Sequence, residues 1–85
     1  QKRPLQREKN PSENKYHLSA REIGVLQKVA SGKSNKEIAA DLHLSEKTIK
    51  NHLRSIFSKM DVDDRTKAAI HGIQEGIIDL DGGIV

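Results

Sequence analysis

The sequence predicts an all-α domain of four helices, and three observations carry that reading. Apolar residues recur three or four apart in four separate stretches, the spacing of one helical face. A Ser or Asp stands at the front of each stretch, and two of the Ser residues have Glu three positions on, the pattern of a capping box. Pro is scarce, runs of β-branched residues are absent and only 2% of residues are aromatic, so an aliphatic helical core is favoured over a sheet. With 85 residues the chain suffices for one small domain with a modest core.

Residues 1–16 hold two prolines and many charges but no apolar period, and they read as a flexible linker. Residues 17–80 hold the helical pattern, and 81–85 read as a tail, with fraying expected from about residue 79. Ser19 and Glu22 form the first capping box; Ile23, Leu26, Val29 and Ala30 follow as its apolar face, Leu18 is placed to staple the start, and Gly32 stands where a left-handed residue closes a helix. Ser34 and Glu37 open a short second helix through Leu42, with Ile38, Ala39 and Leu42 inward and the small Ala39 and Ala40 allowing close approach. His43 and Leu44 form a tight connection to Ser45, the cap of a third helix reaching Met60. Asp63 or Asp64 caps a fourth, from about Arg65 to Gly76, with Ala69, Ile70, Ile73 and Ile77 as its apolar stripe.

The third helix is the informative one. At about 100° per residue, Ile49, Leu53, Ile56, Phe57 and Met60 share one stripe, while Lys47, Lys50, Asn51 and Arg54 share another roughly 120° away. The second stripe has no carboxylate. Lys and Arg donate to phosphate and guanine edges and Asn pairs with adenine, so this face suits a nucleic-acid groove. A solvated basic face is the plainer alternative. Two helices joined by a short turn, the second bearing such a stripe, have helix-turn-helix geometry.

Charge is unevenly spread. The net charge is +3, but residues 1–30 and 31–60 are basic, at +4 and +3, whereas residues 61–85 stand at −4. A basic front and an acidic end point to one surface facing a polyanion and another facing away. The chain has no Cys, which excludes a disulfide framework or thiolate zinc site and fits a cytoplasmic location. No apolar run is long enough for a membrane span, so no membrane partner is expected. The histidines lack ligand spacing, the Asp61, Asp63 and Asp64 cluster lacks the form of a calcium loop, and no Ser–His–acid set or Gly-rich phosphate loop is present. No enzyme activity, metal or cofactor is expected. The first residue is Gln and not Met, which reads as a piece of a longer chain.

Four motifs in order, Leu18–Glu22, Gly32–Ala39, Leu44–His52 and Asp64–Ala69, resemble the LuxR-type, or NarL/FixJ-type, helix-turn-helix domain over residues 18–78. Ile49 stands where that family commonly has Val. The resemblance implies four helices, the third in the DNA major groove and the fourth forming a dimer contact. It implies base or flanking phosphate contacts from Lys47, Lys50, Asn51 and Arg54, and phosphate contacts from Lys33, Ser34, Asn35, Ser45 and Thr48. It further implies a bacterial transcription regulator, with this domain as the output half of a two-component response regulator behind a receiver domain, or following a small-molecule sensor. The expected partners are double-stranded DNA, a second copy bound on DNA, and that upstream domain. The stripe of the fourth helix has two readings, closing a four-helix core or being partly exposed for a second copy; in the latter Ile70, Ile73, Gln74 and Ile77 are the candidate dimer surface. A helical module that binds a partner protein is the competing function.

Overall fold

The computed structural model describes residues 14–79. Their secondary structure is α1 (Ala20–Ala30), α2 (Asn35–Leu42), α3 (Glu46–Met60) and α4 (Arg65–Gln74), with no strand among the described residues. The all-α, four-helix expectation is what the chain adopts.

Local chemistry sets each helix start. Ser19, Ser34, Ser45 and Asp64 sit in extended backbone, and their side chains accept the amides of Glu22, Glu37, Thr48 and Lys67. The first two complete the reciprocal capping box through Glu22 and Glu37. Each helix end is closed by a left-handed residue: Gly32, His43, Asp61 and Gly76 have φ between +58° and +88°. At each, the next amide reaches back five residues, as in Lys33 N–H to the Lys28 carbonyl and Leu44 N–H to the Ala39 carbonyl, so two otherwise orphaned carbonyls find donors. Two of these positions carry a Cβ, which is the more strained choice.

The core lies where α1, α3 and α4 meet and α2 closes on α3. Leu18, Val25, Leu26, Ile38, Ile49 and Ile56 are fully buried, with Val29, Ala39, Leu53, Met60, Ala68 and Ile78 around them. The face of α3 follows expectation, except that Phe57 is only half-buried. On α1 the buried face includes Val25 and Glu22, while Ile23 and Ala30 are half-buried. Ala40 of α2 is exposed, so only Ala39 serves close packing.

The fourth helix departs most from expectation. It ends at Gln74, and its fully buried residues are Ala68 and Gly72, while Ala69, Ile73 and Ile77 of the expected stripe pack against the core only in part. Three of those four are half-buried, and Ile70 is 47% exposed. The cause is close packing against α1 and Ile78: a Cβ on Gly72 would stand 3.0 Å from Ile78 and Leu26 side-chain atoms, so a larger residue there would require those side chains to shift.

Both ends of the described chain are tied down. Asn14 Oδ1 accepts the amides of Tyr16 and Leu18, and Tyr16 packs against the core, so Asn14–Tyr16 belong with the folded unit despite falling in the expected linker. Asp79 is held by a two-point clamp, its carbonyl accepting from Gln27 Nε2 at 2.6 Å and its amide donating to Gln27 Oε1 at 3.1 Å. The remainder of the expected linker and the tail 81–85 lie outside the described residues.

Candidate nucleic-acid interface

The turn of His43, Leu44 and Ser45 sets α3 against α2, and the split personality of α3 fixes its orientation. Ile49, Leu53, Ile56 and Met60 are buried, which forces the opposite face outward. Lys47, Lys50, Asn51 and Arg54 are all exposed. Burying four aliphatic side chains contributes of order 6–12 kcal/mol before entropy is counted, so α3 cannot roll this face inward without losing the core.

The orientation of α3 is fixed a second time by a buried carboxylate that an exposed lysine reaches. Glu22 of α1, only 5% exposed, accepts from Lys59 Nζ at 2.8 Å, Ser55 Oγ at 2.6 Å and the Ser19 amide at 2.8 Å. Burial pushes its carboxyl up, but the donors, Lys59 foremost, outweigh that and hold it at about 2. Sequence reasoning found only the capping role of Glu22. Its α3 partners stand 33 and 37 residues away, beyond any local pattern.

The expected phosphate-contacting residues lie around the starts of α2 and α3. Ser34 and Ser45 are exposed; Lys33, Asn35 and Thr48 are partly so. Ser34 Oγ accepts the Glu37 amide, and a hydroxyl that accepts keeps its proton to donate. Ser45 Oγ accepts the Thr48 amide and donates to Thr48 Oγ1 at 2.9 Å, which leaves the Thr48 proton for another acceptor. Lys33 Nζ lies 3.4 Å from Asp41 Oδ2, which Lys28 also approaches at 3.3 Å. These lysines, Lys28 first, hold the Asp41 carboxyl below its ordinary range. The pair is exposed, so freeing Lys33 for a phosphate costs little.

Sequence reasoning did not assign Arg65. Its guanidinium donates to Asn35 Oδ1 and to the Lys33 carbonyl, both at 2.9 Å, tying the start of α4 to the start of α2. An open groove of about 390 Å³ lies between them, with Lys50, Arg54 and Arg65 on its walls and Leu53 and Phe57 among its lining. The candidate dimer residues lie elsewhere. Ile70 and Ile73 line a second groove of about 330 Å³ with Val29, Ala30, Thr66 and Ala69, while Gln74 is exposed and Ile77 half-buried. Among the described residues no cluster of His, Cys, Asp or Glu could hold a metal ion, and no helix is long and apolar enough to cross a membrane.

Residues 16–71 match the model of the bacterial regulatory proteins, luxR family. The chain belongs to that family. Its members are DNA-binding transcription regulators. Among relatives of this luxR-family chain, the uncharacterized transcriptional regulatory protein YhcZ of Bacillus subtilis is 45% identical over 71 residues, covering 82% of this chain and 33% of YhcZ. The response regulator VraR of Staphylococcus aureus is 44% identical over 61 residues, covering 72% of this chain and 29% of VraR. A crystal structure of the response regulator ChrA, from a heme-sensing two-component system, superposes with a TM-score of 0.70 at 49% identity, over 72% of this chain and 30% of ChrA. The luxR-family chain thus spans about a third of the length of the curated relatives it matches.

Proposed function

We propose that this chain is the sequence-specific DNA-binding output domain of a response regulator, following an upstream receiver or sensor domain and bound to DNA as a homodimer. The observation that carries this reading is the exposed, carboxylate-free stripe of Lys47, Lys50, Asn51 and Arg54 on the second helix of a helix-turn-helix. In this reading α3 lies in the major groove. Lys50, Asn51 and Arg54 read base edges, each good bidentate pair supplying roughly 1–3 kcal/mol of discrimination. Lys47 reaches a base or flanking phosphate. Lys33, Ser34, Asn35, Ser45 and Thr48 hold phosphates and supply affinity without sequence choice. Ile70, Ile73, Gln74 and Ile77 form the contact between two copies. Kinship with proteins described as response regulators supports the upstream domain.

The test is to select binding sites from a randomised duplex pool and measure affinity for a selected site against salt. Affinity should fall linearly on a log–log plot, with a slope of roughly 0.9 per phosphate neutralised. Lys50→Ala and Asn51→Ala should lose discrimination between the selected site and random duplex. An affinity indifferent to salt, with both variants unchanged, would instead favour a module that binds a partner protein.

A further inference from the structure

We infer that Arg65 is a positioning residue for DNA binding, acting through the side-chain amide of Asn35. The inference rests on the proposed function and assigns a role to a residue at the start of α4, away from the helix-turn-helix itself.

A guanidinium has donors only, so Arg65 can engage Asn35 only through the amide oxygen. The 2.9 Å bond from Arg65 to Asn35 Oδ1 therefore turns the Asn35 NH2 away from Arg65. That orientation matters because the two ends of the amide are opposite in sign toward an anion. The NH2 end can donate to a phosphate oxygen, and the carbonyl end repels one. The second guanidinium bond, 2.9 Å to the Lys33 carbonyl, pins the backbone of the same turn, so the fork fixes both the amide and the loop that carries it. Asn35 and Arg65 share a groove with Lys50 and Arg54 of α3. The start of α2, which packs directly on α3, is thereby pinned beside the Lys50 and Arg54 side chains, in a groove that the Asp64 carboxylate also lines. Arg65 itself is half-buried and its fork is directed at protein, so its contribution runs through Asn35 and not through its own charge.

The test uses the 85-residue chain, a random-sequence DNA duplex at low salt, and thermal unfolding of every variant. Phosphate contacts are independent of sequence, so this probe reads them without knowledge of the target site. Arg65→Ala should weaken binding roughly tenfold, the scale of one charge-assisted hydrogen bond. Arg65→Lys should weaken it nearly as much, because an ammonium on a flexible stem keeps the charge but cannot reproduce the fork. Asn35→Ala should weaken binding, and adding Arg65→Ala to it should cost little more. Arg65→Lys binding like wild type, or losses from Asn35→Ala and Arg65→Ala that simply add, would overturn the inference and make Arg65 an ordinary cation. Should Arg65→Ala fail to fold, Arg65→Lys and Asn35→Ala still decide it, since an Asn35→Ala chain that binds normally also overturns it. Failure of the underlying reading looks different: the wild-type chain would not bind the duplex at all, and the inference would fall with it.

Discussion

Glu22 shows how much one side chain can hold. Its carboxyl is held at about 2, against 4.5 for an unperturbed carboxyl, so folding favours the ionised form. The folded value is the depressed one, so the stability it confers is complete above about pH 5 and is lost as pH falls toward 2. At about 1.4 kcal/mol per pH unit the loss is of order 3 kcal/mol. Denaturant unfolding of the wild type between pH 7 and pH 2 should show that decline, and Glu22→Gln should be less stable at neutral pH and flatter across the range. A Glu22→Gln chain with the wild-type pH profile would remove the pair from the account. The capping role of Glu22 was legible because its partner lies three residues away. The ion pair was not, because nothing local marks Ser55 and Lys59 as facing α1. Arg65 escaped notice for the same reason: its partners, Lys33 and Asn35, are joined to it only by the fold.

Individual helices differ in how openly they announce themselves. The two stripes of α3 are well separated and chemically distinct, so both its buried face and its exposed face could be read directly. In the fourth helix, hydrophobic periodicity found Ala69, Ile73 and Ile77, which pack partly buried against the core, but missed the small residues that a close helix–helix contact selects. Ala68 and Gly72 take the buried positions, and Ile70 is left outside. Helix ends offer a second lesson. Gly32 announced a left-handed closure, but His43 and Asp61 adopt the same conformation without Gly. Replacing His43 or Asp61 with Gly should relieve that strain and stabilise the chain by about 0.5–1 kcal/mol, measured by denaturant unfolding. The reverse change, Gly32→Ala, should destabilise by about 1 kcal/mol.

Across the whole molecule, the proposed DNA contacts at the starts of α2 and α3 and on the α3 stripe are exposed or partly so, while Ile70 lies in a separate groove that meets theirs only at Arg65. If the Ile70 groove is the contact between copies, Ile70→Glu should leave binding to a single half-site unchanged but abolish cooperative binding to paired half-sites about 10 bp apart. Sedimentation of the DNA complex checks this, and a variant that still loads as a dimer would reassign the interface. The central claim concerns α3. Its most direct measurement is amide and side-chain NMR perturbation during titration with a duplex selected by the protein itself. The account predicts that perturbations concentrate on Lys47, Lys50, Asn51 and Arg54 and on the starts of α2 and α3. Perturbations confined to α4, with the side chains of Lys50, Asn51 and Arg54 unmoved, would contradict it.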